Sequence, residues 1–252
     1  MAGQLVRLVL ADEVATITLD SQHNRNALST QLLAELNAAL DAAEASTPRA
    51  IVLRHEGPAF CSGADLKERA TAGVPDSSPV IRAIERLMDS ECPTVAAVDG
   101  AVRAGGMGLM AACDLVVVNP SVTFSLPEVR IGVAPAIVLV PLTRRVPPSQ
   151  LAATTLTGEV IDAPTAQRIG LVTHVADDVA AACTELVAKI KLGAPRAVAE
   201  SKRALWSLAA MKRTDALAAM KVLSETLFAG PDAQEGMRAF ADKRPPSWQP
   251  RA

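Results

Sequence analysis

The sequence predicts an α/β fold, in which a layered core of strands and helices is followed by a helical C-terminal region. Short apolar runs rich in β-branched residues alternate with helical patterns through the first part of the chain. One run, Leu115–Val118, is apolar at every position, which is typical of a strand that helices cover on both faces. From about Pro164 onward the patterns are helical. For 252 residues, at roughly 150 residues per domain, we expect a core over residues 1–195 and a smaller helical region over residues 196–252.

The elements of the core follow from the spacing of apolar residues. In chain order we expect a hairpin of Leu5–Leu10 and Val14–Leu19, a helix indicated by the spacing of Leu28, Leu32, Leu33, Leu36 and Leu40, a strand at Ala50–Leu53, a helix over Val80–Met88, a strand at Val95–Val98, a helix over Gly105–Cys113 and a strand at Leu115–Val118. Ser29 is the expected N-cap of the first helix, and Pro48 stops its pattern. The loop from Thr71 to Ser78 is expected to be mobile and to shape a ligand pocket.

The C-terminal region is predicted to consist of helices. Helical patterns extend over Val179–Lys189, Ala194–Leu208 and Ala216–Leu227. Gly230-Pro231 ends the third of these and begins another, because glycine is frequent just after a helix and proline in the first turn. The apolar stripe of the third helix requires a partner surface, and periodicity leaves open whether that surface is its own core or another subunit.

Composition and charge exclude several classes of protein. The chain has 25 Lys+Arg against 27 Asp+Glu and only six aromatic residues, so neither a nucleic-acid footprint nor a base-stacking surface is expected. The uncharged run Ile131–Thr143 is too short to span a bilayer, and no membrane partner is expected. The N-terminus lacks a basic region followed by a cleavage site, so we expect a cytoplasmic protein without a leader.

Cysteine and histidine patterns predict neither a metal site nor a nucleophile. The four cysteines are Cys61, Cys92, Cys113 and Cys183. They form no CxxC pair, and buried thiols are expected. The three histidines have no second ligand three or four residues away, and none lies in a Cys-His or nucleophile-elbow signature. The glycines around position 105 have neither dinucleotide nor phosphate-loop spacing, so no nicotinamide or ATP cofactor is expected.

Two stretches place glycine and small residues between a strand and a helix. The first is Ala59–Glu68, which follows the Ala50–Leu53 strand, and the second is Asp99–Leu109, which follows the Val95–Val98 strand. An unpaired helix N-terminus offers free N–H donors and the positive end of a dipole, so either stretch could hold a developing oxyanion. Taken singly, each is better explained as a tight turn.

A third stretch, Phe124–Pro135, places a single carboxylate, Glu128, among apolar neighbours. Burial disfavours the charged form of a carboxyl group, so a carboxyl in such a setting can donate and accept protons near neutral pH. The alternatives are a buried ion pair with Arg130 or a glutamate that faces solvent.

The three stretches in this order resemble the crotonase (enoyl-CoA hydratase/isomerase) family. The resemblance covers nearly the whole chain, from Asn24-Arg25-Asn26-Ala27-Leu28 to Phe240-Ala241-Asp242-Lys243-Arg244. It implies a crotonase-like spiral of ββα units and a helical C-terminal region that assembles homotrimers or homohexamers. It also implies that a CoA thioester binds as substrate, with no separate cofactor and no metal, and with its carbonyl oxygen between the N–H groups of Ala64 and Gly105.

The resemblance implies further roles for individual residues. Glu128 would act as general acid and base. Contacts with CoA or substrate are expected from Arg25, Ser62, Leu66, Lys67, Arg130 and Lys243, the last reaching the nucleotide bound by a neighbouring subunit. For long basic side chains, a solvated surface charge is an equally good explanation.

One position departs from the family pattern. Hydratases of the family commonly carry two glutamates, and the position of the first is Gly108 here. We predict an enoyl-CoA hydratase-type lyase that adds or removes water across the 2,3 double bond, in fatty-acid or leucine catabolism. The alternatives are a double-bond isomerase that works with one glutamate and a non-catalytic acyl-CoA binder.

The residues around Gly105 and Glu128 also resemble the branch that includes methylglutaconyl-CoA hydratases. Their substrates carry a second carboxylate, which Arg103 or Arg130 could clamp with two hydrogen bonds. The alternative is that Arg130 pairs with an internal acid and Arg103 faces solvent.

Overall fold

The computed structural model describes residues 3–71 and 76–249, and within them ten strands form two sheets that are surrounded by eleven α-helices. The strands are β1 (Val6–Ala11), β2 (Val14–Leu19), β3 (Ala50–His55), β4 (Ala59–Cys61), β5 (Thr94–Val98), β6 (Ala101–Arg103), β7 (Leu115–Val118), β8 (Thr123–Ser125), β9 (Ile161–Asp162) and β10 (His174–Val175). The helices are α1 (Thr30–Ala45), α2 (Leu66–Thr71), α3 (Ser78–Asp89), α4 (Gly105–Ala112), α5 (Ala136–Arg145), α6 (Pro148–Thr157), α7 (Ala163–Arg168), α8 (Val179–Lys191), α9 (Pro195–Ser207), α10 (Arg213–Phe228) and α11 (Pro231–Ala241). Of the predicted loop from Thr71 to Ser78, residues 72–75 lie outside the described residues.

The N-terminal hairpin and the first helix form as predicted. Strands β1 and β2 pair antiparallel through a two-residue turn, Asp12-Glu13, in which both φ angles are positive (50° and 61°). Two successive residues with positive φ give the turn a backbone twist that matches the right-handed twist of the flanking strands. The hydroxyl of Ser29 accepts a hydrogen bond from the N–H of Leu32 at 3.2 Å, so Ser29 caps α1.

The larger sheet has the order β1-β2-β3-β5-β7-β10, and all pairs after β1·β2 are parallel. Its first five strands correspond to the predicted ones, whereas β10, which is two residues long, was not predicted. Alternate residues of its strands face opposite sides. Ile51 and Val116 belong to the main core, to which α1, α3 and α4 contribute, whereas Val52 and Val117 pack against α8. Both faces are therefore covered by helices, as the uniformly apolar strands predict.

The second sheet was not predicted from the sequence. It has the order β4-β6-β8-β9, and its strands are only two or three residues long. Segments of this length are too short to show the alternation that identifies a strand. Each of the first three follows a strand of the larger sheet, so the chain repeats a ββα unit in β3-β4-α2 and again in β5-β6-α4. This repeat confirms the spiral of ββα units.

The C-terminal helices pack less closely than those of the core. Helices α9 and α11 each bury one residue, Lys202 and Ala239, and α10 buries none. The predicted apolar stripe of α10 is mostly half-buried, while Leu217 is 66% and Phe228 is 66% exposed. The division of the chain at residue 195 remains a prediction. Among the described residues, no helix combines the length and apolarity needed to cross a bilayer.

A buried ion pair attaches α9 to the core. The ammonium group of Lys202 lies 2.9 Å from Oδ2 of Asp114, and the two side chains are 8% and 13% exposed. Asp114 also accepts hydrogen bonds from the indole N–H of Trp206 at 2.7 Å and from the N–H of Thr94 at 2.8 Å. Lys202 donates in addition to the carbonyl oxygen of Cys92 at 3.1 Å. The C-terminal region is therefore held by a charged contact that is shielded from water.

Candidate active site

The two glycine-rich stretches lie directly against each other. Strand β4 belongs to the first stretch and strand β6 to the second. The two strands pair in parallel, with Ala59 opposite Ala101. Gly63 has a φ of +94°, and a Cβ atom added to it would lie 2.6 Å from Cβ of Ala104 and 3.6 Å from N of Gly105. Only glycine fits this left-handed, crowded position. The structure thus brings Ala64, the next residue, beside Gly105.

Both main-chain donors at this contact are unpaired. Within the described residues, neither the N–H of Ala64 nor that of Gly105 donates a hydrogen bond. Gly105 is the first residue of α4, where N–H groups have no acceptor within the helix. Ala104, just before it, has a φ of +49°, and such strain in a non-glycine residue persists only where the surroundings enforce it. Two adjacent free donors can bind an oxygen atom that carries negative charge.

Cys61 lies beneath this contact and is not a nucleophile. Its side chain is fully buried, and burial raises the pKa of its thiol to about 12. Its sulfur accepts a hydrogen bond from the N–H of Gly63 at 3.4 Å. The Cys61 thiol therefore supports the first loop instead of reacting.

His55 is also buried, and its Nε2 accepts a hydrogen bond from the N–H of Asp99 at 3.0 Å.

Glu128 lies in a 3₁₀ helix, Pro127–Ile131, that follows β8. Strand β8 pairs with β6, and the carbonyl oxygen of Ser125 accepts from the N–H of Ala104 at 3.1 Å, so this segment starts beside the second loop. The carboxyl is half-buried, and its Oε2 atom has no hydrogen-bond partner among the described residues. Burial raises the pKa of the Glu128 carboxyl, against an opposing hydrogen bond from its own backbone.

The two arginines considered as carboxylate clamps differ in their contacts. Arg103 is half-buried and donates to the carbonyl oxygen of Thr123 and, at 2.8 Å, to its hydroxyl. Burial lowers the pKa of the Arg103 guanidinium. Arg130 is exposed, and its Nε donates to the carbonyl oxygen of Thr157 at 2.9 Å. Neither alternative to a clamp is found: Arg103 is held by Thr123 instead of facing solvent, and Arg130 forms no ion pair with an acid among the described residues.

Of the other predicted contact residues, some lie at or next to the first loop, and Lys243 lies after α11. Ser62 lies at the first loop, where its N–H donates to the carbonyl oxygen of Arg25 at 3.1 Å. Leu66 and Lys67 begin α2 directly after that loop and are exposed. Lys243 is exposed just after α11 and makes no described hydrogen bond with either loop. The roles of all these residues remain predictions.

The surroundings of Gly108 are aliphatic. A Cβ atom added to Gly108 would lie 2.8 Å from Cγ1 of Val138 and 3.3 Å from Cδ1 of Ile84. Neither neighbour could be identified from the sequence, because Val138 and Ile84 belong to different helices, α5 and α3. The position at which the resemblance implies a first glutamate is therefore closed by an aliphatic wall.

A cavity of about 960 Å³ lies elsewhere, at the end of the larger sheet where the central strands β3 and β5 begin. It is lined by the ends of α1 and α3 and the start of α9, and it includes Arg49, Glu91 and Arg196. None of the predicted site residues lines it. The two glycine-rich loops therefore do not line this cavity.

The fold and the paired glycine loops agree with one family of proteins. The chain matches the enoyl-CoA hydratase/isomerase family over residues 10–251 and belongs to that family. It is accordingly an enzyme of the enoyl-CoA hydratase/isomerase class, which decides against the non-catalytic acyl-CoA binder.

Individual relatives agree with this assignment. The chain is 31% identical over 249 residues to the mevalonyl-coenzyme A hydratase of Aspergillus fumigatus, with 94% of this chain and 92% of that protein covered. It is 30% identical over 247 residues to an enoyl-CoA isomerase/hydratase of Mycosarcoma maydis, with 91% and 90% covered. A solved enoyl-CoA hydratase of Mycobacterium smegmatis superimposes with a TM-score of 0.90 at 29% identity, with 97% of this chain and 98% of that chain covered.

Proposed function

We propose that the protein is a hydratase-type lyase that adds or removes water across the 2,3 double bond of an enoyl-CoA thioester. The contact between Gly63 and Gly105 is the observation that carries this proposal, because it brings Ala64, the residue after Gly63, close to Gly105, and neither N–H donates a hydrogen bond among the described residues. Addition of water to the 2,3 double bond places negative charge on the thioester oxygen. The N–H groups of Ala64 and Gly105 would stabilise that charge, and loss of one such donor typically costs about 3–4 kcal/mol.

Glu128 is the proposed general acid and base. Its ionised carboxylate would take a proton from water as the oxygen attacks the β-carbon, and the resulting acid would then protonate the α-carbon. Its partial burial and its unpaired Oε2 support this role, because such a carboxyl holds and releases protons closer to neutral pH.

The remaining residues are proposed to hold the CoA moiety and the acyl group. Arg25, Ser62, Leu66 and Lys67 surround the first loop, and their exposed or half-buried side chains are available to CoA. Arg130 would contact the acyl group. Its guanidinium nitrogens other than Nε are free for this within the described residues. A leucine-derived substrate with a second carboxylate and a cytoplasmic location stay predictions.

Assembly into a homotrimer or homohexamer is part of the proposal. The apolar side chains of α10 that remain exposed, such as Leu217, Val222 and Phe228, support burial against a neighbouring subunit. In that assembly Lys243 would reach the nucleotide of CoA bound by the neighbour.

A second candidate, the double-bond isomerase, is favoured by the aliphatic wall at Gly108. One carboxylate is sufficient to remove a proton from the α-carbon and return it at the γ-carbon. The site has no second carboxylate at position 108 to orient water, and Val138 and Ile84 fill the adjacent space. Both candidate reactions, isomerisation and hydration, would use the same oxyanion site.

A turnover panel of three CoA thioesters tests these candidates. We expect the enzyme to hydrate crotonyl-CoA to the 3-hydroxyacyl product, which is measured as a decrease in the absorbance of the conjugated enoyl thioester. An increase in conjugated absorbance from a 3-enoyl-CoA, without hydration of crotonyl-CoA, would support the isomerase instead. Preferred hydration of 3-methylglutaconyl-CoA would support the leucine-derived substrate. No turnover of any of the three would contradict both candidates.

The wall at Gly108 makes a separate prediction about stability. Replacing a glycine inside a helix with alanine ordinarily stabilises a protein by up to about 1 kcal/mol. For Gly108→Ala we expect the opposite sign, a loss of about 1–3 kcal/mol, because the new methyl group overlaps Val138. Urea unfolding of Gly108→Ala, Val138→Ala and the double variant measures this, and the double variant should recover part of the loss. A stabilised Gly108→Ala variant would show that the space is open.

A further inference from the structure

Asn26 is a fully buried polar residue at the junction of both sheets, and the mechanism above does not use it. Its Oδ1 accepts from the N–H of Ser21 at 2.6 Å. Its Nδ2 donates to the carbonyl oxygens of Glu56 at 3.0 Å and Ala59 at 2.8 Å. One side chain thus joins the residues that follow β2 and β3 and the first residue of β4.

The backbone around Asn26 has an uncommon conformation. Arg25 and Asn26 have φ angles of 58° and 55°, in the left-handed region. Asparagine tolerates this region, but arginine there is costly. The three side-chain hydrogen bonds of Asn26 hold the segment in this shape, because the residues that they join are fixed by the two sheets.

This segment sets the direction of one proposed oxyanion donor. The N–H of Leu28, two residues after Asn26, donates to the carbonyl oxygen of Gly63 at 2.7 Å. That carbonyl and the N–H of Ala64 belong to the same planar, trans peptide group, so they point in opposite directions. Fixing the Gly63 carbonyl on Leu28 therefore turns the Ala64 N–H away from Leu28. The carbonyl of Arg25 restrains the same loop through the N–H of Ser62 at 3.1 Å.

We propose that Asn26 is a positioning residue that orients the Ala64 N–H toward the thioester oxygen, an inference that rests on the proposed function. Asn26 does not touch the substrate in this proposal. It acts through the segment from Asn26 to Leu28 and through the peptide group between Gly63 and Ala64. Its removal should weaken stabilisation of the enolate, while the CoA contacts proposed for Leu66 and Lys67 at the start of α2 stay in place.

The test compares Asn26→Ala with Asn37→Ala. Asn37 is a matched control, since it is also buried and its Nδ2 also donates to two carbonyl oxygens, those of Leu33 at 2.8 Å and Pro79 at 3.0 Å. Both variants should lose stability. Only Asn26→Ala should lower kcat, by about 100-fold, because a small misplacement of an oriented group costs about that much. The KM of its substrate should change by a much smaller factor than kcat, because the contacts proposed for Leu66 and Lys67 do not depend on Asn26.

A second readout does not depend on turnover. A saturated thioester, butyryl-CoA labelled with ¹³C at the carbonyl, is bound to each folded variant, and the carbonyl stretching frequency is measured by difference infrared spectroscopy. The wild-type protein and Asn37→Ala should lower this frequency on binding, and Asn26→Ala should lower it less. An unchanged frequency shift in Asn26→Ala, or a kcat equal to that of Asn37→Ala, would overturn the positioning role.

The outcomes separate this inference from the proposed function. If the wild-type protein binds butyryl-CoA without any change in the carbonyl frequency, the oxyanion site itself is absent and both proposals fall. If Asn26→Ala does not fold, Asn26→Asp replaces it, since the aspartate keeps the acceptor for Ser21 and loses the donors to Glu56 and Ala59. The ratio of its kcat to that of the wild type should rise as pH falls, because the protonated carboxyl regains a donor. A ratio that does not vary with pH would contradict the proposal.

Discussion

Glu128→Gln is expected to lower turnover of enoyl-CoA thioesters by about 10²–10⁴-fold, the range that general acid–base catalysis contributes. Glutamine has nearly the same size and can still form hydrogen bonds, but it cannot take up and release a proton. The affinity for a saturated acyl-CoA should stay within a factor of about three, because none of the proposed CoA contacts involves Glu128. Steady-state kinetics and calorimetric binding of butyryl-CoA measure the two quantities separately.

The pH dependence gives a second measurement on the same residue. Burial raises the pKa of the Glu128 carboxyl, and the reaction starts from its ionised form. Activity of the wild-type enzyme should therefore fall as pH drops through this raised pKa, and the residual activity of Glu128→Gln should lack that decline. Glu85→Gln, an exposed position on α3, is the matched control and should keep wild-type activity. Equal turnover in Glu128→Gln and Glu85→Gln would exclude Glu128 from the chemistry.

Asp114→Ala is expected to destabilise the protein by about 3–5 kcal/mol, the typical cost of leaving one partner of a buried ion pair alone. The substitution removes the carboxylate that lies 2.9 Å from Lys202 and leaves an ammonium group whose side chain is 8% exposed. It also removes the acceptor of the Trp206 indole and of Thr94. Urea unfolding at a fixed protein concentration measures the loss.

Two further variants show whether burial of the charge is the cause. Lys202→Met should cost less than Asp114→Ala, because Asp114 keeps its hydrogen bonds from Trp206 and Thr94. Glu185→Ala removes an exposed ion pair, in which the side chain of Glu185 is 70% exposed and that of Lys189 is 65% exposed. This substitution should not change the unfolding midpoint measurably. A loss in Asp114→Ala no larger than that in Glu185→Ala would refute the buried-charge explanation.

Local patterns were sufficient for five of the six strands of the larger sheet and for most helices. Strands β2 and β7 have the predicted bounds, and Ser29 caps α1 as expected. These elements are long enough to show a period, and capping depends on atoms within three residues of one another. The family pattern in the two glycine-rich stretches and at Glu128 likewise indicated the class of enzyme from the order of the residues alone.

The second sheet could not be predicted in the same way. Its strands are too short to carry a period, and they form only because each is paired with a strand from another ββα unit. This sheet is what brings Ala64 and Gly105 together. The proximity of the two loops therefore depends on contacts between residues about 40 positions apart, such as Ala59 and Ala101.

The sequence by itself determined the five longer strands, most of the helices and the residue types of the site, because these depend on neighbours along the chain. Only the tertiary structure decided that Arg103 is bound to Thr123, that Val138 closes the space beside Gly108, and that Asn26 joins three distant segments. Each of these depends on which atoms meet when separate units pack. The distances between particular atoms are properties of the packed core, and the spacing of residues along the chain does not show them.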